Sequence, residues 1–304
     1  MIDVRSTGAG TMPSIRIGQL QIDTVVESEN RTLPLSELLP QASAEGAKAA
    51  TDWLGPRYLQ IGKEGEWRAV LSFQSYVVRT RRHVVLIDTC AGNDKDRGGH
   101  PWFHRLATPW LARLADLGLA PGDIDVVLCT HLHADHVGWN TRLENGRWVP
   151  TFPKARYLFC RREYEHRESL WRQGKDQDVR AFADSVLPVI ESGQGTLVEA
   201  DHVLDSQLCL QAAPGHTPGN IIVQLGDSGQ DAMLSGDVIH HPLQVTHPEW
   251  SSAFCEDPVA AAHYRRRFVD THGEKQTLIV PAHFPAPTAG FIRRHGDRHR
   301  FQFL

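Results

Sequence analysis

The sequence predicts an α/β fold, and three observations carry that prediction. Short apolar runs rich in β-branched residues recur along the chain, bounded by Gly, Asp or Pro as strands are. Helical stretches fall between them, and this alternation is the pattern of α/β architecture. Finally, Asp88, His131, His216, Asp237 and His283 each stand at the end of an apolar run or just beyond it. In α/β proteins that edge is where ligands and reacting groups gather.

Taken in order, residues 27–63 are rich in Leu, Pro, Glu and Ala with no clean period. They are expected to form an N-terminal flap, a helical lid or a dimerisation segment within one domain spanning residues 1–304. Strands are expected at "YVVRT" (76–80), "HVVLIDT" (83–89), "IDVVLCT" (124–130) and "ARYLFC" (155–160). Further strands follow at "LCLQAA" (208–213), "NIIVQLG" (220–226), "DAMLSGD" (231–237) and "TLIVPAH" (277–283). Helices are expected over 103–119, interrupted by Pro109, and over 161–174 and 178–193. The clearest helix start is "EDPVAAAHYRRRF", with Asp257 as N-cap and Pro258 at the first helical position. Arg265, Arg266 and Arg267 in that helix are expected on a solvated face. Asn145-Gly146 between two short extended runs is a hairpin turn signal.

Composition sets bounds on function. The 304 residues are 41% apolar and 22% charged, with a net charge of −4 that offers no general attraction for phosphate backbones. Nucleic acid is therefore not an expected partner. No apolar run approaches the ~18 residues of a membrane span, and "MIDVRSTGAGTMPS" lacks the apolar core of a secretion signal. A cytoplasmic protein is expected. Cys90, Cys129, Cys160, Cys209 and Cys255 are odd in number, scattered and without a C-x-x-C pair, so they read as reduced thiols.

The densest chemistry lies in "THLHADHVGW" (130–139), where H-x-H-x-D-H follows directly on "VVLCT". Imidazole nitrogens and carboxylate oxygens are zinc donors. If the chain stays extended after the strand, His131 and His133 face one way. If it then bends, Asp135 and His136 turn to a second position. Distant segments add His216 in "APGHTPG", Asp237 in "LSGD" and His283 in "VPAH". A strand-end carboxylate such as Asp237 has two oxygens with which to bridge two cations. No cysteine occurs in these motifs, which points away from closed structural zinc sites and towards reactivity.

With "LIDT", "THLHADHVG", "APGHTPG", "LSGD" and "VPAH" in this order over about residues 70–285, the chain resembles the metallo-β-lactamase-fold hydrolases. The resemblance implies a four-layer αβ/βα sandwich: two mixed β-sheets with helices on the outer faces and two divalent metal ions at one edge. It implies that His131, His133 and His216 bind one metal and that Asp135, His136 and His283 bind the other. Asp237 would bridge them, and Asp88 would orient the ligand imidazoles. Zinc is the expected metal, with manganese, iron and cobalt as alternatives. A bridging hydroxide would then be the nucleophile, with Asp135 orienting it or moving a proton.

Within the family, His133 stands where flavo-diiron proteins tend to carry Glu, and Asp237 is a ligand that true β-lactamases lack. The insert "GWNTRLENGRWVPTFPKARYLFCRREYE" and "GDVIHHPLQV" resemble quorum-quenching lactonases and methyl-parathion-hydrolase-type esterases. The expected substrate is accordingly a small lactone or carboxylic ester with an apolar part. An organophosphate triesterase, a thioesterase and a non-catalytic metal-binding protein are the alternatives, and a homodimer is a possible assembly. There are two departures. His240 occupies the position where many lactonases carry Tyr, which leaves a catalytic donor and a structural histidine both open. Asn220 occupies the position of another histidine. Trp102, Phe103, Trp110, Trp139, Trp148 and Phe284 lie near the motifs in sequence and are candidates for an apolar pocket wall or for core packing.

Overall fold

The structure, a computed structural model, describes residues 2–5, 14–175, 179–227 and 229–304. The strand runs read from sequence are strands, and they fall into two sheets. The first half of the chain supplies β1 (Ile2–Arg5), β2 (Ser14–Ile17), β3 (Leu20–Pro34), β4 (Leu59–Ile61), β5 (Trp67–Arg79), β6 (Val84–Ile87) and β7 (Val126–Leu128). The hairpin β8 (Thr141–Glu144) and β9 (Arg147–Pro150) follows, then β10 (Arg156–Cys160) and β11 (Gly195–Val198). Among the described residues, nine of these form one sheet in the order β1-β2-β3-β5-β6-β7-β10-β11, with β4 pairing β5. Its last four strands run parallel, while the remainder pair antiparallel.

The second sheet follows chain order: β12 (Val203–Asp205), β13 (Leu208–Ala212), β14 (Ile221–Asp227), β15 (Gln230–Gly236), β16 (Leu278–Pro281), β17 (Gly290–His295) and β18 (Arg298–Phe303). Among the described residues of this sheet, only β15 and β16 pair in parallel. A parallel pair needs a crossover, and a long helix supplies it.

Helices cover the outer faces. They are α1 (Leu35–Leu38), α2 (Ala44–Ala50), α3 (Trp110–Asp116), α4 (Ala134–Val137), α5 (Arg161–Arg172), α6 (Val179–Ala181), α7 (Leu187–Glu191), α8 (Leu243–Thr246) and α9 (Pro258–Gly273). The layers explain why the strand runs are almost continuously apolar. Val85, Ile87, Val126, Leu128 and Leu158 point into the core between the sheets, against Leu210, Val223, Leu234 and Val280. Their neighbours Leu86, Val127, Tyr157 and Phe159 point the other way, under Trp110, Leu114, Phe182 and Val189. On the far side, Ile222, Met233 and Ile279 pack under Phe268 and Val269 of α9. Strands buried on both faces have no polar side to alternate with.

Several expectations needed correction. Residues 27–34 continue β3 and pair with β5, the register shifting between Val26 and Ser28 and again between Ser28 and Arg31. The helix expected from 103 begins only at Trp110, because Pro109 cannot continue a helix from before it and stands at the N-cap. The 178–193 helix contains a π-helical turn over Phe182–Val186, and residue 178 lies outside the described residues. Residues 1 and 6–13 of the N-terminal stretch also lie outside them. Arg265 is not solvated: it is fully buried and donates to the carbonyls of Pro248 and Val238 and to Ser251 Oγ. The helix turns that residue inwards, while Arg266 and Arg267 face solvent as expected. Asp257 caps α9 by accepting from Ala260 N, and Asn145-Gly146 turns the β8–β9 hairpin with both residues at positive φ.

Candidate metal centre

The motif loop leaves β7 and stays extended through His133, whose ψ is 159°; Ala134–Val137 then close a single helical turn. Leu132, Ala134 and Val137 are buried, so the apolar positions anchor the loop and the polar ones project from it. The extended half presents His131 and His133, and the helical half presents Asp135 and His136.

Two sets of donors result. His131 Nε2, His133 Nδ1 and His216 Nε2 lie 2.9, 2.9 and 3.1 Å from one another. Asp135, His136 and His283 form the second set, with Asp135 Oδ2 3.7 Å from the Nε2 atoms of both histidines. Asp237 stands between the sets and turns a different oxygen to each. Its Oδ2 is 3.2 Å from His216 Nε2 and 3.8 Å from His131 Nε2. Its Oδ1 is 3.1 Å from His283 Nε2 and 3.4 Å from His136 Nε2. His240 Nε2 lies 3.1 Å from Oδ2, on the side of the first set.

Outward contacts orient the rings. Asp88 follows β6 with φ of 55°, and its carboxylate accepts from Thr130 N and Oγ1 and faces His136 Nδ1 at 3.0 Å. A non-glycine residue in that conformation is strained, and the bonds on both sides hold it there. His283 Nδ1 is 3.1 Å from the Ser72 carbonyl, which as an acceptor places the ring proton outward and leaves Nε2 bare. His216 Nδ1 has Cys255 Sγ at 3.6 Å and His131 Nδ1 has Thr130 Oγ1 at 3.2 Å. Gly138 lets the loop close onto the Asp88 turn, since a Cβ there would lie 1.9 Å from the Ala91 carbonyl carbon.

Burial, with charged neighbours, holds His131, His133 and His216 well below the ordinary histidine pKa, and burial lowers His240 as well. Burial also opposes charge on His136 and His283, but there Asp237 and Asp135 outweigh it and raise both. Asp237 would be raised by burial, yet the surrounding histidines hold it well below the usual carboxylate range. Three neutral rings turn three nitrogens on one point, two of them with a contact on the outward nitrogen, and lone pairs so converged are favourable around a cation. Among the described residues, His136 Nε2 and His240 Nδ1 are buried without a hydrogen-bond partner, while Asp237 Oδ1 and His240 Nε2 have only the approaches given above, the nearest at 3.1 Å, which lack hydrogen-bond geometry. Polar atoms left so are costly unless something else occupies the space. An imidazole and carboxylate donor set of this kind fits divalent metal ions.

A family model described as the metallo-beta-lactamase superfamily matches residues 71–283. The chain belongs to the metallo-beta-lactamase superfamily. It is 30% identical to metallo-beta-lactamase domain-containing protein 1 of Xenopus laevis over 187 residues, which cover 59% of this chain and 64% of that protein. It is 29% identical to the N-acyl homoserine lactonase AttM of Azorhizobium caulinodans over 135 residues, covering 39% and 43%. The chain thus spans less than two thirds of the length of these curated relatives. A solved structure of AidC, described as a dizinc quorum-quenching lactonase in complex with a product, matches with a TM-score of 0.78 and 19% identity. That match covers 100% of this chain and 98% of AidC, and at that identity it is a likeness of fold. The four layers are those of the superfamily's α/β fold.

In this superfamily member a cavity of about 710 Å³ opens over the centre, with His133, Asp135, His216, Asp237, His240 and His283 at its floor. Its apolar wall includes Leu71, Phe73, Trp102, Phe103, Leu170 and Phe254. Of the aromatic residues singled out from sequence, Trp102 and Phe103 line it, while the other four do not. Trp110 and Trp139 stack in the core with ring centroids 5.4 Å apart, and Phe284 is buried beneath the second sheet. Trp148 carries the Lys95 ammonium 3.5 Å over its ring. Among the described residues, none from 27–63 lines the cavity. Asn220 donates to the Ala213 carbonyl and steadies the His216 turn. Sequence reasoning passed over Phe73, Phe254, the Ser72 carbonyl and Glu163. The first two carry only apolar character, the third is backbone, and an acid in a helix's first turn is ordinary.

Proposed function

We propose that this chain is a two-metal hydrolase that opens a lactone or cleaves a related carboxylic ester. The observation that carries the reading is Asp237, one buried carboxylate that turns separate oxygens towards two complete donor sets. In this reading His131, His133 and His216 would hold one cation, Asp135, His136 and His283 would hold the other, and Asp237 would offer an oxygen to each. Zinc suits these nitrogen and oxygen donors. Two such cations, when bound, lower the pKa of a shared water and polarise an ester carbonyl.

The chain's own residues do the remainder. Asp135 has an oxygen left over beside its metal position with which to align the attacking water. His240, neutral and with its Nε2 3.1 Å from Asp237 Oδ2, stands at the floor of the cavity, where a ring N–H can donate to the oxygen that departs. The wall of Phe73, Trp102, Phe103 and Phe254 takes an apolar part of the substrate and keeps water from it. The lactonase descriptions of AttM and AidC support a lactone as that substrate.

The test is a side-by-side assay of metal-replete protein on an acyl-homoserine lactone, an aryl ester, a thioester and an organophosphate, with metal analysis on the same sample. The expected result is two equivalents of metal, chelator-sensitive turnover, and a kcat/KM on the lactone at least tenfold above the others. A lactone no better than the remaining substrates overturns the substrate choice; metal without any turnover overturns the hydrolase.

A further inference from the structure

Glu163, in the first turn of α5, is a charged side chain only 1% exposed, and the chemistry assigned above does not use it. Its Oε1 accepts from Leu132 N at 3.1 Å and faces Arg167 Nε at 3.4 Å. Its Oε2 accepts from Thr217 Oγ1 at 2.6 Å and from Gly219 N at 3.1 Å. Leu132 is the residue between His131 and His133, and Thr217 directly follows His216. One carboxylate therefore ties together the two loops that supply the first donor set. Those loops come from different sheets, the first after β7 and the second after β13.

The tie is close and specific. The His216 turn packs so tightly on α5 that a Cβ at Gly219 would lie 2.2 Å from Glu163 N. A backbone bond from Ile221 N to the Thr130 carbonyl joins the same loops further back, so Glu163 adds the connections beside the ligands themselves. Its acidic side chain also suits the helix N-terminus it occupies. The second donor set is held otherwise, by Asp88 on His136 and by the Ser72 carbonyl on His283.

We infer that Glu163 is the positioning residue of the first metal position, fixing His131 and His133 against His216, so that the affinity of one metal and not the other depends on it. This rests on the two-metal reading above. Groups that orient ligands in this way are worth ten- to a hundredfold in metal affinity when removed.

The experiment is a competition titration of the full chain with zinc and a chromophoric chelator, on wild type, Glu163→Ala, Glu163→Gln and Thr217→Val, alongside thermal unfolding of each metal-free protein. Wild type is expected to take two equivalents. Glu163→Ala is expected to weaken one of them ten- to a hundredfold and leave the other within twofold. Thr217→Val, which removes one of the four donors, moves the same equivalent by less. Glu163→Gln, which keeps the shape and part of the acceptor capacity, restores part of the loss. Both equivalents unchanged in Glu163→Ala, or both weakened alike in a folded variant, overturns the inference. If Glu163→Ala does not fold, Thr217→Val decides by the same criterion. A wild type that binds fewer than two equivalents instead overturns the two-metal reading, and that outcome is visible before any variant is compared.

Discussion

His241, next in sequence to a candidate catalytic histidine, shows how a buried ring can be structural. Its Nε2 donates to the Tyr58 carbonyl at 2.8 Å, and its Nδ1 accepts from Leu243 N at 3.3 Å. Accepting at Nδ1 needs the neutral ring, and burial lowers its pKa from 6.5 to about 4 against the Tyr58 carbonyl, which favours the charged form. The unfolded chain therefore takes up this proton first. The stability it represents is complete above about pH 6.5 and is lost as pH falls towards 4. A shift of this size corresponds to about 3 kcal/mol. Urea unfolding of metal-free protein should show that loss over this window, and His241→Phe should flatten the wild-type slope there; an unchanged slope would refute the assignment. Arg265 makes the converse point. Burial lowers its pKa to about 10, so it remains charged at neutral pH and keeps its three acceptors.

At the scale of elements, the centre depends on how closely loops approach. The Asp88–Gly92 turn and the His136–Trp139 segment are joined by Thr89 N to the His136 carbonyl, Gly138 N to the Cys90 carbonyl and Trp139 N to the Thr89 carbonyl. Beneath them, the buried Glu27 carboxylate accepts from Ala91 N, Gly92 N and Trp139 Nε1. Gly138 is the point of closest approach. Gly138→Ala is expected to force the segments apart at a cost near the upper end of about 1–3 kcal/mol. Metal uptake at the Asp135, His136 and His283 position should fall with it, because His136 moves with this segment. Denaturant midpoints and metal content measured together check both outcomes, and normal values for both would show that the loops relax freely.

On the scale of the whole molecule, the candidate ligands come from both halves of the sandwich. His131, His133, Asp135 and His136 follow a strand of the first sheet, whereas His216, Asp237 and His283 follow strands of the second. A metal held between them would cross-link the two sheets and bind the folded chain alone. Free zinc at a hundred times its Kd then adds about 2.7 kcal/mol. Chelation should lower Tm, and zinc should restore it. Asp237→Asn, which would weaken the ligand proposed to be shared by both positions, should lose most of that metal-dependent rise. A Tm indifferent to chelator in wild type would contradict a metal bound across the sheets.

Much of this protein was legible without a structure, and the reason is local. Residues such as Val85 to Ile87 and Val126 to Leu128 are apolar on both faces, which marks them as interior strands wherever they sit. His131, His133, Asp135 and His136 carry their donor chemistry in residue type, and a six-residue loop allows few ways to present it. Asn145-Gly146 and Asp257-Pro258 encode a turn and a helix start in two residues each. What remained undecided depends on partners remote in sequence. Glu163 meets Leu132 and Thr217 across 31 and 54 positions, and His283 meets the Ser72 carbonyl across 211. Whether Trp102 faces a cavity and Trp110 a core depends on which face of a sheet each covers, and Arg265 looked solvated because nothing near it in sequence reveals the carbonyls that receive it. The sequence by itself determined which groups exist and at which strand ends they stand. Only the packing of one sheet on the other decided which of them share an acceptor, because hydrogen bonds and close approach are set by distance in space.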